Sequence, residues 1–221
     1  MTSLFSVGSE DWWRLRRLKL SGVSDLLVNP NGFKVIETSE PLESKPLLQF
    51  IKERYLELGI IDKNWQLPPL KGRFFAVYHP ESPYPGAVAL LVEKDLPAKK
   101  IYSKELKKIQ GWRKRLAEIT LLATHPKLKA KNAIFIVFKN IYRYSLRKGI
   151  TDLIVCINPK HTDFYEKILL FERKGARKPH SFIPGLPVIL EHLDLKKAKE
   201  KYLKIYSSFP EELNLYHFFE G

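Results

Sequence analysis

The sequence predicts an α/β (α+β) fold, a mixed and mostly antiparallel twisted sheet flanked by helices. Three observations carry this. Residues 116–123 and 153–157 are apolar runs on either side of a helical pattern, the layout of a βαβ unit. Residues 73–78 and 87–93 flank the turn Pro83-Tyr84-Pro85-Gly86 and read as an antiparallel hairpin. Residues 185–190, beginning Gly185-Leu186-Pro187, supply a last strand.

In chain order, residues 11–20 (DWWRLRRLKL) form a basic amphipathic helix that Ser9 could cap, with Trp12, Leu15 and Leu18 on one side. It is either a surface element for a membrane or partner, or a terminal helix packing its tryptophans on the domain. Asn29-Pro30-Asn31-Gly32 is a turn, and residues 33–38 alternate like a strand. Pro46 suits the first turn of a helix whose Leu47, Leu48, Ile51, Tyr55 and Leu58 repeat helically up to Gly59. Residues 96–115 are a polar stretch dense in lysine and arginine. A long helix over residues 131–148 turns Ile134, Val137, Phe138, Ile141 and Tyr144 inward and Lys139, Arg143 and Arg147 outward, and Gly149 ends it. Asn158-Pro159 stops the buried strand, since proline has no N–H for a ladder. A helical pattern then runs from His161 to Phe171, and residues 194–206 and 211–219 read as further helices. The expected organisation is an N-terminal helix and strand over 1–44, one domain over 45–195 and a helical extension over 196–221.

With 44% apolar and 12% aromatic residues, the 221-residue chain can build a proper core. A single cysteine excludes an intramolecular disulfide framework and any multi-cysteine metal site. Cys156, inside a buried strand, reads as a small core residue. No apolar run approaches the roughly 20 residues of a membrane span, and no signal-peptide pattern opens the chain, so a cytoplasmic protein, free or at the membrane surface, is expected. Thirty-eight basic against 24 acidic residues give a net charge of +14, which suits nucleic acid, an anionic membrane or an acidic protein. The lysines are spread over many segments and no nucleic-acid-binding signature occurs, so nucleic acid is not the expected partner.

One carboxylate interrupts the strand Leu116-Ala117-Glu118-Ile119-Thr120-Leu121-Leu122-Ala123. Glutamate is depleted in strands and rarely buried without a partner. Glu118 is thus either an exposed or ion-paired residue, or a carboxylate kept for chemistry.

The stretch from residue 151 to 175 resembles the C-terminal half of the GNAT acyltransferase fold. Asn158, Pro159, His161, Phe164, Tyr165 and Phe171 follow "N-P-x-H-x-x-F-Y-x-x-x-x-G-F", and Gly185, Pro187 and Leu190 follow "G-x-P-x-x-L". Those patterns are similar to the N-acyl amino acid synthase branch and, more distantly, to acyl-homoserine-lactone synthases. Glu118, Ile119, Thr120 and Ala123 match that branch's "E-[LI]-[ST]-R-x-A", with Leu121 in place of the arginine. Leu170 stands where the family usually has glycine. Arg54-Tyr55 resembles its first-helix pattern.

The resemblance implies a GNAT-like sheet and attack of an amine on an acyl thioester. It implies Tyr165 as general acid to the departing sulfur and Glu118 as acceptor of the amine proton, with His161 sharing that work or capping a helix. It also implies that Leu121, Leu122, Ala123, Asn132 and Asn158 hold the thioester arm, and that Arg54 and Trp65 roof the site. No bound cofactor is expected. Where relatives using acetyl-CoA have a glycine-rich phosphate turn, this chain has Lys127, Lys129 and Lys131 and no glycine. Side chains there hinder close approach to a pyrophosphate, while three lysines suit a single phosphate. This favours acyl carrier protein over CoA as the donor, with an amino acid or similar small amine as acceptor. Phe74, Phe75 and Trp112 are candidates to line an acyl tunnel. The alternatives are a CoA-dependent N-acetyltransferase and a non-catalytic basic module.

Overall fold

The structure, a computed structural model, describes residues 9–21, 32–111, 113–126 and 132–220. Its elements are α1 (Ser9–Ser21), β1 (Lys34–Thr38), α2 (Pro41–Glu57), β2 (Arg73–Tyr78), β3 (Pro85–Val92), α3 (Lys99–Ile109), β4 (Leu116–Thr124), α4 (Ala133–Arg147), β5 (Asp152–Ile157), β6 (Glu172–Arg173), β7 (Lys178–Pro179), β8 (Pro187–Asp194), α5 (Leu195–Tyr206) and α6 (Leu215–Glu220). The strands lie in the order β1-β2-β3-β4-β5-β8-β6, with β7 paired to β8. Only β4 and β5 run parallel, with α4 as the crossover between them.

Two helical layers cover this sheet. Helix α2 packs Leu47, Phe50, Ile51 and Tyr55 on Phe74, Ala76, Val88 and Leu90, and α3 continues the same face over Leu116, Ile154, Val188 and Leu190. The opposite face carries α4 over Phe75, Val77, Ala89, Leu91 and Val155. Phe74 and Phe75, as neighbours on one strand, point to opposite faces, so they do not line one tunnel together. Trp112 lies outside the described residues.

Several elements differ from expectation. Helix α2 starts five residues early, with Pro41 in its first turn and Pro46 exposed inside it. The lysine-rich stretch contains a helix, α3, because Tyr102, Leu106 and Ile109 recur at helical spacing and are buried while its lysines are exposed. Helix α4 also buries Phe135, Ile136 and Tyr142, since α5 and α6 cover the side expected to meet solvent. Tyr202, Tyr206, Leu213, Leu215, Phe218 and Phe219 join the α4 core, and Tyr142 donates to the Glu220 carboxylate at 2.9 Å. The C-terminal helices therefore share the sheet's core. In α1, Leu18 and Arg14 face inward and Trp13 is half-buried, whereas Trp12 is exposed under the Arg16 guanidinium. None of the described helices is long and apolar enough to cross a membrane.

Candidate active site

The parallel ladder between β4 and β5 is short. Leu116, Ala117, Glu118 and Ile119 pair with Asp152, Leu153, Ile154 and Val155, and pairing stops there. Beyond it, β4 carries an extra residue: Leu90 opposes Thr120 but Val88 opposes Ala123. Leu121 absorbs the insertion at φ 52°, the left-handed region that costs a bulky residue roughly 1–2 kcal/mol. This bulge re-aims Leu121 and Ala123 toward α2, where both are buried. The two strands thus part at their C-terminal ends, leaving the edge of β4 from Thr120 to Thr124 beside the end of β5. A cleft with backbone amides on its wall suits an extended arm that carries amides of its own.

Glu118 sits at the root of this cleft. It is 2% exposed, and its Oε2 accepts the Ala98 N–H, which opens α3, at 2.8 Å. Burial pushes the carboxyl up to about 8, and that single amide pulls it only partly back. Such a group changes charge near neutral pH, as a general base requires. Cys156 lies on the same face of β5. Burial and the Glu118 carboxyl hold its thiol well above the ordinary value, so it is a poor nucleophile.

Two phenols approach the cleft from opposite faces. Tyr55 of α2 donates its hydroxyl to the Leu122 carbonyl at 3.2 Å, at the bulge. Tyr165 belongs to the cluster on the other face, where Phe138, Phe164 and Phe171 hold its ring edge-on. Burial raises the Tyr165 phenol above its ordinary value, and Tyr55 and Glu191 add to the rise. It stays protonated, as a proton donor must. Tyr165 rides on a wide helical turn, Phe164–Ile168, of the π type that often re-aims a side chain at functional sites. The expected helix from His161 to Phe171 is this turn preceded by a 3₁₀ turn, Pro159–His161, and it ends with Leu170 at φ 57°.

The remaining expected site residues divide. Asn158 is partly exposed and accepts the Lys160 N–H at 3.0 Å, which caps the turn after β5. Arg54, 9% exposed, donates to the Thr124 carbonyl at 2.9 Å and pairs with Glu57, which fastens α2 to the end of β4. Trp65 donates to the Phe182 carbonyl at 2.9 Å and ties the loop after α2 to the loop before β8. Both side chains act here by holding backbone. Asn132 is buried at the start of α4. His161 is exposed on the turn after β5, beside Arg17 and Lys160, and no interaction found among the described residues joins it to Glu118. The structure thus separates the two proton-handling candidates, because Glu118 faces α3 from inside the sheet while His161 stands at the strand's outer end. Lys127, Lys129 and Lys131 lie outside the described residues. Tyr55 was legible as part of a helical apolar repeat and of the first-helix pattern with Arg54, and its hydroxyl contact with the Leu122 carbonyl sets it at the bulge. Among the described residues, no cluster of histidine, cysteine or carboxylate side chains is arranged to hold a metal.

The family model described as N-acyl amino acid synthase FeeM matches residues 47–194, two-thirds of the chain. The chain belongs to the N-acyl amino acid synthase family. It is therefore an acyltransferase, and the matched span runs from within α2 to the end of β8. The structure of FeeM, an N-acyl amino acid synthase from uncultured soil microbes, is similar at a TM-score of 0.63 and 23% identity, covering 76% of this chain and 93% of that one. A putative N-acetyltransferase from Lactobacillus plantarum is similar at a TM-score of 0.55 and 14% identity, covering 75% and 99%. The CoA-dependent acyl-homoserine lactone synthase MesI follows at 0.52 and 13%, covering 80% and 97%. These likenesses show the GNAT-like fold. No curated protein matches the chain.

Proposed function

We propose that this member of the N-acyl amino acid synthase family moves a long-chain acyl group from an acyl carrier protein thioester to the amine of an amino acid or similar small amine. The observation that carries the reading is the buried carboxylate Glu118 at the root of the cleft between β4 and β5. The thioester arm lies along the unpaired part of β4, past Leu121, Leu122 and Ala123, with its carbonyl near the root. The amine nitrogen attacks that carbonyl, the N–C bond forms and the C–S bond breaks. Glu118 takes the proton the amine gives up, and Tyr165 supplies the proton that the departing thiolate takes. The products are an amide and a thiol.

The net charge of +14 and the absence of glycine from residues 127–133 favour an acidic carrier protein over CoA as donor. A CoA donor is the second reading, and acyl-CoA tried in parallel discriminates. The test is mass spectrometry of the organic extract after incubation with long-chain acyl carrier protein and mixed amino acids. The expected result is a new acyl-amino acid that Glu118→Gln abolishes. Silence with both donors overturns the proposal.

A further inference from the structure

The family match runs from residue 47 to 194, so α1 and α5 both lie outside it. Both nevertheless reach the turn that carries Tyr165. Within that turn the Phe164 and Tyr165 carbonyls accept the Leu169 and Phe171 N–H groups, at 3.1 and 2.9 Å. The Lys167, Ile168 and Leu169 carbonyls are taken by side chains from outside it. Arg14 of α1 donates Nε to the Lys167 carbonyl at 2.9 Å. From α5, the Tyr206 hydroxyl donates to the Ile168 carbonyl at 2.8 Å and the Tyr202 hydroxyl to the Leu169 carbonyl at 2.9 Å. All three side chains are buried. Carbonyls at the end of a helical turn have no partner of their own, and buried ones are costly to leave unpaired.

The sequence arranges these donors by helical spacing. Tyr202 and Tyr206 stand four residues apart, so α5 presents both hydroxyls on one side, with the rings stacked 5.9 Å apart. Glu10 and Asp11, one turn before Arg14, pair with its guanidinium at 3.0 and 2.9 Å and orient the fork. Phe138, Phe164 and Phe171 hold the Tyr165 ring edge-on, so the aim of its hydroxyl follows the backbone of the turn. A proton donor works only within hydrogen-bond reach of the atom it protonates, and a small misplacement costs much of the rate. The π turn is a rare conformation that needs such support.

We infer that Arg14, Tyr202 and Tyr206 are positioning residues for acyl transfer: by fixing the carbonyls of residues 167–169, they hold the wide turn that aims Tyr165 at the departing sulfur. This rests on Tyr165 as the proton donor in the reading above. The three act through Tyr165 and touch no reacting atom.

The experiment measures kcat with a long-chain acyl carrier protein in the wild type, Tyr202→Phe/Tyr206→Phe, Tyr165→Phe and the three changes together. The double variant removes two hydroxyls and keeps both rings in the core. Its kcat falls about 3- to 30-fold, on the order of two lost hydrogen bonds, with KM for the amine little changed. In the Tyr165→Phe background the same two changes cost less than about 2-fold, because the group they aim is already gone. A thiophenol thioester of the same acyl chain is the second readout: its thiolate leaves without an acid, so the double variant matches the wild type on it. Arg14→Met behaves as the double variant does. Tyr142→Phe, which loses a bond to Glu220 in the same core, leaves kcat unchanged. Tyr206→Phe alone, with a circular dichroism melt, covers failure of the double variant to fold. Equal losses in both backgrounds, or no loss in either, overturn the inference. Full turnover by Tyr165→Phe overturns the proton-donor reading instead.

Discussion

In the proposed mechanism Glu118 accepts the amine proton, and its burial sets its proton affinity. Its carboxyl, raised to about 8, is mostly protonated at neutral pH and becomes a base as pH rises. The pH profile of kcat/KM is therefore expected to climb to a plateau above about 8. Glu118→Gln keeps an oxygen for the Ala98 N–H, so the fold survives while turnover drops about 10²- to 10⁴-fold, the usual weight of a general base. A circular dichroism melt alongside the rate measurement separates the two effects. At Leu170, φ 57° places a bulky residue where glycine costs nothing. Leu170→Gly relieves that strain of about 1–2 kcal/mol but removes a side chain that is 5% exposed in the core, a loss of about 2–5 kcal/mol. A net destabilisation of about 1–3 kcal/mol in urea unfolding is expected.

At the scale of elements, the cleft exists because β4 leaves β5 at a bulge and α2 holds it there. Arg54 and Tyr55 hydrogen-bond from α2 to the backbone of β4, at Thr124 and Leu122. Arg54→Ala leaves the Thr124 carbonyl without its charged donor and is expected to cost about 1–3 kcal/mol. Because the wall of the cleft loosens, KM for the thioester rises as well, measured by steady-state kinetics with the donor varied. Helix α3 is the counterpart on the other side. Its first turn supplies the amide that Glu118 accepts, and the Tyr102 hydroxyl lies 2.7 and 2.8 Å from the Ala176 and Val188 carbonyls. Gly175 admits this packing, since a Cβ there would sit 2.5 Å from the Tyr102 ring.

For the molecule as a whole, pH acts on stability through buried acids on both faces of the sheet. Glu191 is fully buried near Glu166, and burial followed by that like charge raises its carboxyl as well. An acid raised in the folded state binds more protons there than in the unfolded chain, so stability falls as pH rises from the unfolded value to the folded one. His180, lowered to about 4 by burial, works in the opposite sense, but only below its ordinary value near 6.5. The free energy of unfolding is therefore expected to fall between pH 6.5 and 8, by up to about 1.4 kcal/mol per pH unit for each buried glutamate, and the melting temperature with it. Glu118→Gln flattens that slope, which calorimetry across the window tests. At low pH the sign reverses at Asp152: burial pushes its carboxyl up, but hydrogen bonds from His192, Lys114 and Thr151 bring it to about 2. The stability it provides is lost as pH falls toward that value. The shared core makes a second prediction. Removing residues 195–220 uncovers Phe138 and Tyr142 of α4, so the shortened chain is expected to lose its cooperative melt.

Much of this protein was legible in its residues. Alternating and continuous apolar runs specify strands locally, which is why the hairpin, the βαβ unit and the last strand are where their patterns put them. A glutamate inside an apolar strand stands out because an unpaired buried charge is costly, and the structure buries Glu118 against the Ala98 N–H. The placement of α3 under a mask of lysines, the inward side of α1 and the burial of α4 on nearly every side depended on which neighbours came to cover them. The split of the site was also tertiary. Tyr55 and Tyr165 come to the sheet from its two opposite faces, whereas His161, seven residues from the middle of the same buried strand, ends exposed on the turn after it. Local pattern is set by bonds along the chain. The company a side chain keeps is set by contacts between segments far apart in sequence, and those the tertiary structure alone decided.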